Sequence, residues 1–413
     1  MYFVFIIVSV YILGVSSKIT WIDPDVDLTM EERIRKAGYP VEIHSMVTQD
    51  GYILSAYRIP HGLNDDSKVN RNKSVVLLIH GMGGIVQVFF ILREKRSIPY
   101  YLADRGFDVW IFNARGNKNE FPKQHVKYDW NTDDEYWFYS FHDIALYDLS
   151  TTIDYILKVT GQKQLSAIGH SAGGPECYCL LAERPEYNKK IKVFLSWGGV
   201  PLIKRFDYPI LNFFISMGDF IKKLIEKLQM SENFPITQSF KPFLRLLCAD
   251  SYYRHMCHVA LAVIGTHKSH TQRIEDIQLI SSVLPRVSSK QIVHFLDNVK
   301  NKWFRKFDYG PKKNMEVYGQ ILPPEYNLTA ATAPFVFFVA KADSLVTLEN
   351  VLDSVRVTRN TVLLYTILDD TFNHVDYLLS GNATELVYEP TYRILKDAEE
   401  GKLPPVIQLP PET

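Results

Sequence analysis

One short stretch carries residues of the kind that form a covalent catalytic site. Residues 165–178 read LSAIGHSAGGPECY, with Ser171 at the centre of a G-x-S-x-G motif. An apolar strand-like run precedes Ser171 and a helical pattern follows it, which is the setting of a nucleophile elbow. So sharp a turn needs residues without bulk two positions before and after the serine, and Gly169 and Gly173 meet that need. The alternative is a purely structural glycine turn.

A serine hydroxyl is a weak nucleophile until a neighbouring base takes its proton. In folds that carry this elbow, the acid and the histidine follow the serine in that order, on loops after later strands. Asp343 follows the apolar run FVFFVAKA, and His374 lies just beyond the next run, TVLLYTILDD. We therefore predict His374 as the base and Asp343 as its acid. The rival acids share a loop with the histidine or follow it closely: Asp369, Asp370 and Asp376.

A tetrahedral oxyanion needs two fixed N–H donors, each contributing on the order of 3 kcal/mol to transition-state stabilisation. The backbone N–H of Ala172, directly after the nucleophile, is one expected donor, and that of Met82 in HGMGG is the other. The sequence contains no Cys/His spacing typical of zinc sites and no phosphate-loop lysine motif. We expect no metal and no cofactor.

The elements that must position these residues alternate between strands and helices. Short apolar runs bounded by glycine or polar turns indicate strands buried on both faces, and helical patterns separate most of them. This alternation predicts an α/β fold with a mostly parallel sheet covered by helices. Asp50-Gly51, between two strand-like runs, predicts a hairpin. The strand-like runs include SVVLLIH, FDVWIFN, LSAIGH, VFLSWGG, FVFFVA and TVLLYTIL.

One interval interrupts this alternation. Residues 204–317 contain no buried-strand pattern and predict a mainly helical cap, or lid, inserted into the sheet domain. The predicted organisation is a signal peptide (1–17), a core in two parts (18–203 and 318–398) around the cap, and a proline-rich tail (399–413) lying loosely on the surface. The first cap helix has a stripe of apolar side chains, which either packs within the cap or meets lipid. The stripe comprises Ile210, Phe213, Phe214, Met217, Ile221, Leu224, Ile225 and Leu228.

Features of the whole chain point to the secretory route. The 413-residue chain opens with a short apolar run that ends in small residues, as a signal peptide does, and an uncleaved anchor is the alternative. Three sequons suit glycosylation, at Asn72, Asn327 and Asn382. The simplest cysteine assignment pairs Cys248 with Cys257 and leaves Cys177 and Cys179 as buried thiols, although four cysteines allow other connectivities. A formal net charge of zero argues against nucleic-acid binding.

The chain resembles the acid lipases, the gastric and lysosomal lipases of the α/β-hydrolase fold. The resemblance covers nearly all of the mature chain and rests on GYPVEIHSMVTQDGYILSAYRIP, LLIHGM, FDVWIFNARGN, YDLSTTIDYIL, IGHSAGG, RPEYNKKI, FDYGPKKNMEVYGQILPPEYNL and FNHVDY. It implies that Ser171, Asp343 and His374 form a triad, that Met82 and Ala172 occupy the oxyanion positions, and that Cys248–Cys257 is the cap disulfide. The chain departs from the family at Met82, Ala172 and Gly174, where Leu, Gln and Thr are usual.

These observations favour a secreted or lysosomal lipase that hydrolyses carboxylic esters of neutral lipids, triacylglycerol or cholesteryl ester, through an acyl-enzyme on Ser171. Its expected partner is the substrate at a lipid–water interface, with peripheral lipid contact only. Two alternatives stay open. One is an esterase of small soluble esters, and the other is a lipid-binding protein that kept the fold without catalysis.

Overall fold

The computed structural model describes residues 23–63, 73–93, 96–117, 121–227, 232–233, 286–407 and 409. Eight strands form one sheet, in the order β1-β2-β4-β3-β5-β6-β9-β10. β2 pairs antiparallel with β1 and with β4, and the other neighbours pair parallel. The strands are β1 (Glu42–Val47), β2 (Ile53–Ile59), β3 (Val75–Ile79), β4 (Asp108–Asn113), β5 (Leu165–His170), β6 (Ile191–Trp197), β9 (Phe335–Val339) and β10 (Thr361–Thr366).

The predicted α/β fold with a mostly parallel sheet is confirmed, and so is the β1–β2 hairpin at Asp50-Gly51. Successive side chains of a strand point to opposite faces. In β3, Val75, Leu77 and Ile79 pack into one apolar core while Val76 and Leu78 pack into the other. Both faces of the sheet are therefore buried, which explains the continuous apolar runs in the sequence.

Helices surround this sheet. The α-helices are α1 (Met30–Lys36), α2 (Ile98–Ala103), α3 (Phe141–Asp143), α4 (Ser150–Thr160), α5 (Gly173–Glu183), α6 (Pro209–Ser216), α7 (Gly218–Lys227), α8 (Ser289–Asn301), α9 (Pro311–Tyr318), α10 (Leu348–Val357), α11 (Asp376–Leu379) and α12 (Glu389–Glu399). A π-helical segment, Ile144–Leu149, joins α3 to α4. That segment carries Asp148, whose buried carboxylate accepts hydrogen bonds from the backbone N–H (2.9 Å) and Nε (2.8 Å) of Arg115.

The chain leaves the sheet after β6 and returns in β9, the strand that pairs beside it. In between, α6 and α7 pack against α8, and ion pairs join α7 to α8: Lys300–Asp219 at 2.5 Å and Lys222–Asp297 at 3.5 Å. A two-stranded antiparallel pair, β7 (Glu232–Asn233) and β8 (Val287–Ser288), also lies in this interval. The boundaries of the cap at 204 and 317 stay a prediction.

The first cap helix differs from the prediction, because two helices replace the single one. The backbone N–H of Met217 donates to the carbonyl oxygens of Phe213 and Phe214, which closes α6, and α7 begins at Gly218. The Ile215 side chain in α6 is buried, whereas Phe213 and Phe214 are exposed. The predicted apolar stripe is therefore divided between α6 and α7.

The described part of the tail makes one backbone contact with the sheet. The backbone N–H of Ile407 donates to the carbonyl oxygen of Thr361 at 2.7 Å, so the tail is tied to the first residue of edge strand β10. Within the described ranges, no helix is both long and apolar enough to cross a membrane.

Candidate active site

Ser171 lies between the end of β5 and the start of α5 in a left-handed backbone conformation, with φ of 54°. Such a φ is uncommon for a residue with a side chain and stores strain. Close neighbours hold it there. A Cβ on Gly169 would lie 2.5 Å from Cζ of Phe194, and one on Gly173 would lie 2.9 Å from the carbonyl oxygen of Ile79. Both glycines of the motif are therefore required by sterics, as the sequence predicts.

His374 and Asp343 approach Ser171 from the ends of two later strands. His374 Nε2 lies 2.8 Å from Ser171 Oγ. The other ring nitrogen, Nδ1, lies 3.0 Å from Oδ2 and 3.1 Å from Oδ1 of Asp343. Asp343 Oδ1 also accepts hydrogen bonds from the backbone N–H groups of Leu345 (2.9 Å) and Val346 (2.7 Å). The Asp343 and His374 side chains are almost fully buried, at 1% and 4% exposure, so their contact is shielded from water.

The three rival acids have other partners. Asp370 forms an exposed ion pair with Lys341 at 2.7 Å. Asp376 Oδ2 accepts from the backbone N–H of Asn373, and Asp369 Oδ1 accepts from that of Thr371. The structure therefore brings together Ser171, His374 and Asp343, as predicted.

The two predicted oxyanion donors flank the serine. Ala172 follows it in the chain, and the loop with Met82 lies beside it, since a Cβ on Gly81 would be 2.7 Å from Ser171 Cβ. Among the described residues, neither the Ala172 nor the Met82 backbone N–H donates a hydrogen bond. Both donors are thus available for an oxygen atom placed next to Ser171 Oγ.

Two histidines support the site in ways that the sequence did not reveal. His170 Nε2 donates to the carbonyl oxygen of His374 at 2.9 Å and so ties the histidine loop to the elbow. His80 Nε2 accepts from the backbone N–H of Ala114, so Nδ1 carries the proton and donates to the carbonyl oxygen of Gly81 at 2.9 Å. Burial lowers the pKa of His80 to about 4 and that of His170 to about 3, which keeps both rings neutral. The only sequence signal for these two histidines was their position in short motifs, His80 before Gly81 and His170 before Ser171.

The other predicted sites lie apart from this centre. Asn327 and Asn382 are exposed, as glycosylation requires. Asn72, Cys248 and Cys257 lie outside the described residues. Cys177 and Cys179 are buried free thiols in α5. Within the part of the chain that the structure describes, no group of three or more His, Cys, Asp or Glu side chains is arranged to hold a metal ion.

The fold and the Ser171–His374–Asp343 contacts define the class of protein, a serine hydrolase of the α/β-hydrolase type. The sequence family described as the partial alpha/beta-hydrolase lipase region matches residues 30–92, and the alpha/beta hydrolase fold matches residues 74–222. Among solved structures, a lipase candidate from Sulfolobus solfataricus superimposes with a TM-score of 0.55 over 86% of this chain and 94% of that one, at 14% identity.

Relatives with a much higher sequence identity show which family within this class the chain belongs to. Gastric triacylglycerol lipase from Bos taurus is 31% identical over 91% of this chain and 93% of the relative. Lipase 3 from Drosophila melanogaster is 32% identical over 89% of this chain and 93% of the relative. Gastric triacylglycerol lipase from Homo sapiens is 30% identical over 91% of this chain and 92% of the relative. The chain belongs to the acid lipase family. It is a carboxylic ester hydrolase of the lipase class.

Proposed function

We propose that this protein hydrolyses esters of neutral lipids, such as triacylglycerol or cholesteryl ester, through an acyl-enzyme on Ser171. The observation that carries the proposal is the 2.8 Å contact between Ser171 Oγ and His374 Nε2, with Asp343 on the far side of the ring. The relatives named as triacylglycerol lipases support the substrate class.

The geometry suits the following steps. As Ser171 Oγ attacks the ester carbonyl carbon, its proton passes to His374 Nε2, and Asp343 stabilises the resulting imidazolium. The carbonyl oxygen becomes an oxyanion that accepts hydrogen bonds from the N–H groups of Met82 and Ala172. His374 then gives the proton to the leaving alcohol, and an acyl group stays on Ser171. Water then attacks the acyl carbon as His374 Nε2 takes its proton. The bond between the acyl carbon and Ser171 Oγ breaks, His374 returns the proton to Oγ, and the carboxylic acid leaves.

Labelling tests the role of Ser171. An active-site-directed phosphonate should add one group per chain, and peptide mapping should find it on Ser171, because Ser171 Oγ lies 2.8 Å from His374 Nε2 in the elbow. Ser171→Ala should remain unlabelled and lose hydrolysis of nitrophenyl butyrate. Label on another serine of the wild type, or a fully active Ser171→Ala, would contradict the assignment.

Lipid contact is the second part of the proposal. After β6, α6 and α7 expose four apolar side chains to water, Phe213, Phe214, Phe220 and Leu224. Grouped exposed apolar surface of this kind marks an interaction site. We call this surface the α6–α7 patch. Because α6 and α7 belong to the segment that follows the carboxyl end of β6, the patch is expected near the active-site edge of the sheet. We assign it to adsorption on lipid.

Two substrates separate this assignment from a soluble-ester specificity. Phe213→Ser/Phe214→Ser should lower the hydrolysis of emulsified long-chain ester severalfold and spare soluble butyrate, because only the emulsion requires adsorption. Val159→Ser is the matched control, since Val159 is also exposed but lies at the end of α4 that precedes β5. Equal loss of both activities in the double variant would favour an esterase of small soluble esters.

Delivery through the secretory route completes the proposal. The apolar run at residues 1–17 and the three sequons support it, and the two described sequon asparagines, Asn327 and Asn382, are exposed. We propose secreted or lysosomal delivery, a Cys248–Cys257 disulfide in the cap and glycans on Asn72, Asn327 and Asn382.

A further inference from the structure

A carboxylic acid is buried in the first turns of the helix that follows the nucleophile. Glu176 lies in α5, five residues after Ser171, and is only 3% exposed. Its carboxyl group forms no hydrogen bond or ion pair within the described chain. A buried charged group without a partner is costly, so a carboxyl group in this setting is expected to stay protonated.

The Glu176 side chain and the loop Gly81–Gly84, which carries Met82, border the same small cavity. The cavity has a volume of about 10 Å³, and its lining includes Glu176, His80, Gly81, Gly83 and Gly84. This is about the space that one water molecule needs. Glu176 thus shares a cavity with the loop that presents one proposed oxyanion donor, and it lies on the helix whose N-cap, Ala172, presents the other.

Among the described residues, no cationic group around this cavity forms an ion pair with Glu176. Arg115 lines the cavity, but its guanidinium donates to Asp148 and Asp50. Arg286, also in the lining, lies over the rings of Trp130 and Trp137. His80 is neutral, and Asp148 adds negative potential. Burial, with the charge of Asp148 as a smaller cause, raises the pKa of Glu176 well above its ordinary value.

We propose that Glu176, in its neutral form, is a positioning residue for the oxyanion loop Gly81–Gly84, and that loss of its proton to solvent switches the site to a less active state. This inference rests on the proposed function. An ionised Glu176 would place a negative charge one helical turn from Ala172, where the helix N-terminus otherwise favours the oxyanion. The charge would also draw water or cations into the cavity and displace the loop. The hydrolysis rate should therefore fall as pH rises through the ionisation of Glu176.

The test compares pH profiles of kcat/KM for soluble nitrophenyl butyrate in the wild type and Glu176→Gln, whose amide keeps the shape and cannot ionise. On the acid side the two rates should agree within about twofold, and the alkaline limb of the variant should move up by about one pH unit or more. Glu186→Gln is the matched control, because Glu186 is an exposed carboxylate on the next helical segment. Its profile should match that of the wild type.

A second measurement distinguishes positioning from a merely structural role. Because the pKa of Glu176 is raised in the folded state, the wild type should lose stability to urea as pH rises above the ordinary carboxyl range, and Glu176→Gln should not. If that stability difference appears while the two activity profiles superimpose, the positioning role is refuted. A tenfold or greater loss for Glu176→Gln at every pH would also refute it. Failure of the proposed function is a different result, an inactive wild type without label on Ser171.

Discussion

At the scale of single residues, His374 is fixed from several directions at once. Its Nδ1 faces the Asp343 carboxylate, its backbone N–H donates to Asn373 Oδ1 at 2.7 Å, and its carbonyl oxygen accepts from His170. Asn373 Oδ1 also accepts from the backbone N–H of Ser344, so the acid loop and the histidine loop are joined beside the triad. The ring is thereby held in the orientation that leaves Nε2 free to accept the Ser171 proton.

Replacing Asp343 by Asn should keep the fold and lower kcat about 10⁴-fold, because an amide N–H facing Nδ1 stabilises the tautomer with its proton on Nε2. Steady-state rates on nitrophenyl butyrate measure the loss. The matched control is Asp370→Asn, which removes only a surface ion pair with Lys341 and should leave kcat within about twofold. A larger loss for Asp370→Asn than for Asp343→Asn would mean that the wrong acid has been chosen.

The residues proposed to perform chemistry were more accessible to sequence reasoning than the residues that position them. Order along the chain and proximity to strand ends single out Ser171, Asp343 and His374. The contact between His170 and the His374 carbonyl oxygen joins positions 204 residues apart in sequence, and no local pattern marks it. Glu176 lies on a helix whose burial on nearly every side is a tertiary property, so its isolation appears only in the folded chain.

At the scale of elements, the turn from β5 to α5 depends on the loop after β6 as well as on its own glycines. A Cβ added to Gly199 would lie 2.2 Å from the carbonyl oxygen of Ser171. The Ser171 backbone N–H also donates to the carbonyl oxygen of Trp197 at 2.9 Å. The strained φ of the nucleophile is therefore maintained by a neighbouring strand end, which the G-x-S-x-G motif alone does not reveal.

Gly199→Ala should lower kcat/KM for nitrophenyl butyrate about 100-fold or more, because the added carbon must displace the Ser171 backbone and a shift of about 1 Å misaligns the reacting atoms. The control is Gly218→Ala at the start of α7, where the nearest atom to a new Cβ is Lys300 Cδ at 3.8 Å. That variant should keep activity within about twofold. An active Gly199→Ala with an unchanged phosphonate-labelling rate would contradict this account of the elbow.

The segment between β6 and β9 shows which secondary-structure predictions were correct and which were not. The absence of strand patterns from residue 204 onward correctly indicated helices at α6, α7 and α8, because the local spacing of apolar residues distinguishes a helix from a strand. The break at Met217-Gly218 was missed, because the apolar spacing runs through it without a change of period. Which side chains are buried depends on the contact of α6 and α7 with α8, and the sequence does not specify how those helices pack.

At the scale of the whole molecule, stability depends on pH through buried neutral histidines, of which the described residues include His80, His170 and His294. Burial is the main cause that lowers the pKa of His80 to about 4 and those of His170 and His294 to about 3. In the unfolded chain each ring binds a proton near its ordinary pKa of 6.5, whereas in the folded chain it does not. The histidine contribution to stability is therefore full above pH 6.5 and is lost as pH falls toward 4.

His294→Gln should reduce this loss. Over pH 6 to 4, the urea-derived free energy of unfolding of the variant should fall about 1.4 kcal/mol less per pH unit than that of the wild type, because one proton fewer binds on unfolding. Gln can still donate to the carbonyl oxygen of Arg305, which His294 Nε2 contacts at 2.7 Å. His61→Gln, at a half-buried loop position, is the control and should keep the wild-type slope. Parallel slopes for wild type and His294→Gln would contradict the expected neutrality of His294.

The pairing of β6 with β9 has a consequence for how such a protein evolves. The chain departs after Trp197 and returns at Phe335, yet Phe194 and Phe335 are paired neighbours in the sheet. The entropic cost of closing a loop grows only slowly with its length, so lengthening or shortening this excursion barely alters the free energy of the sheet. The excursion can therefore acquire, lose or exchange helices while the triad stays in register. Related proteins could therefore change their substrate range by exchanging the segment between β6 and β9 while they keep the same catalytic core. Chimaeras joined at these two strand ends are expected to keep hydrolytic activity.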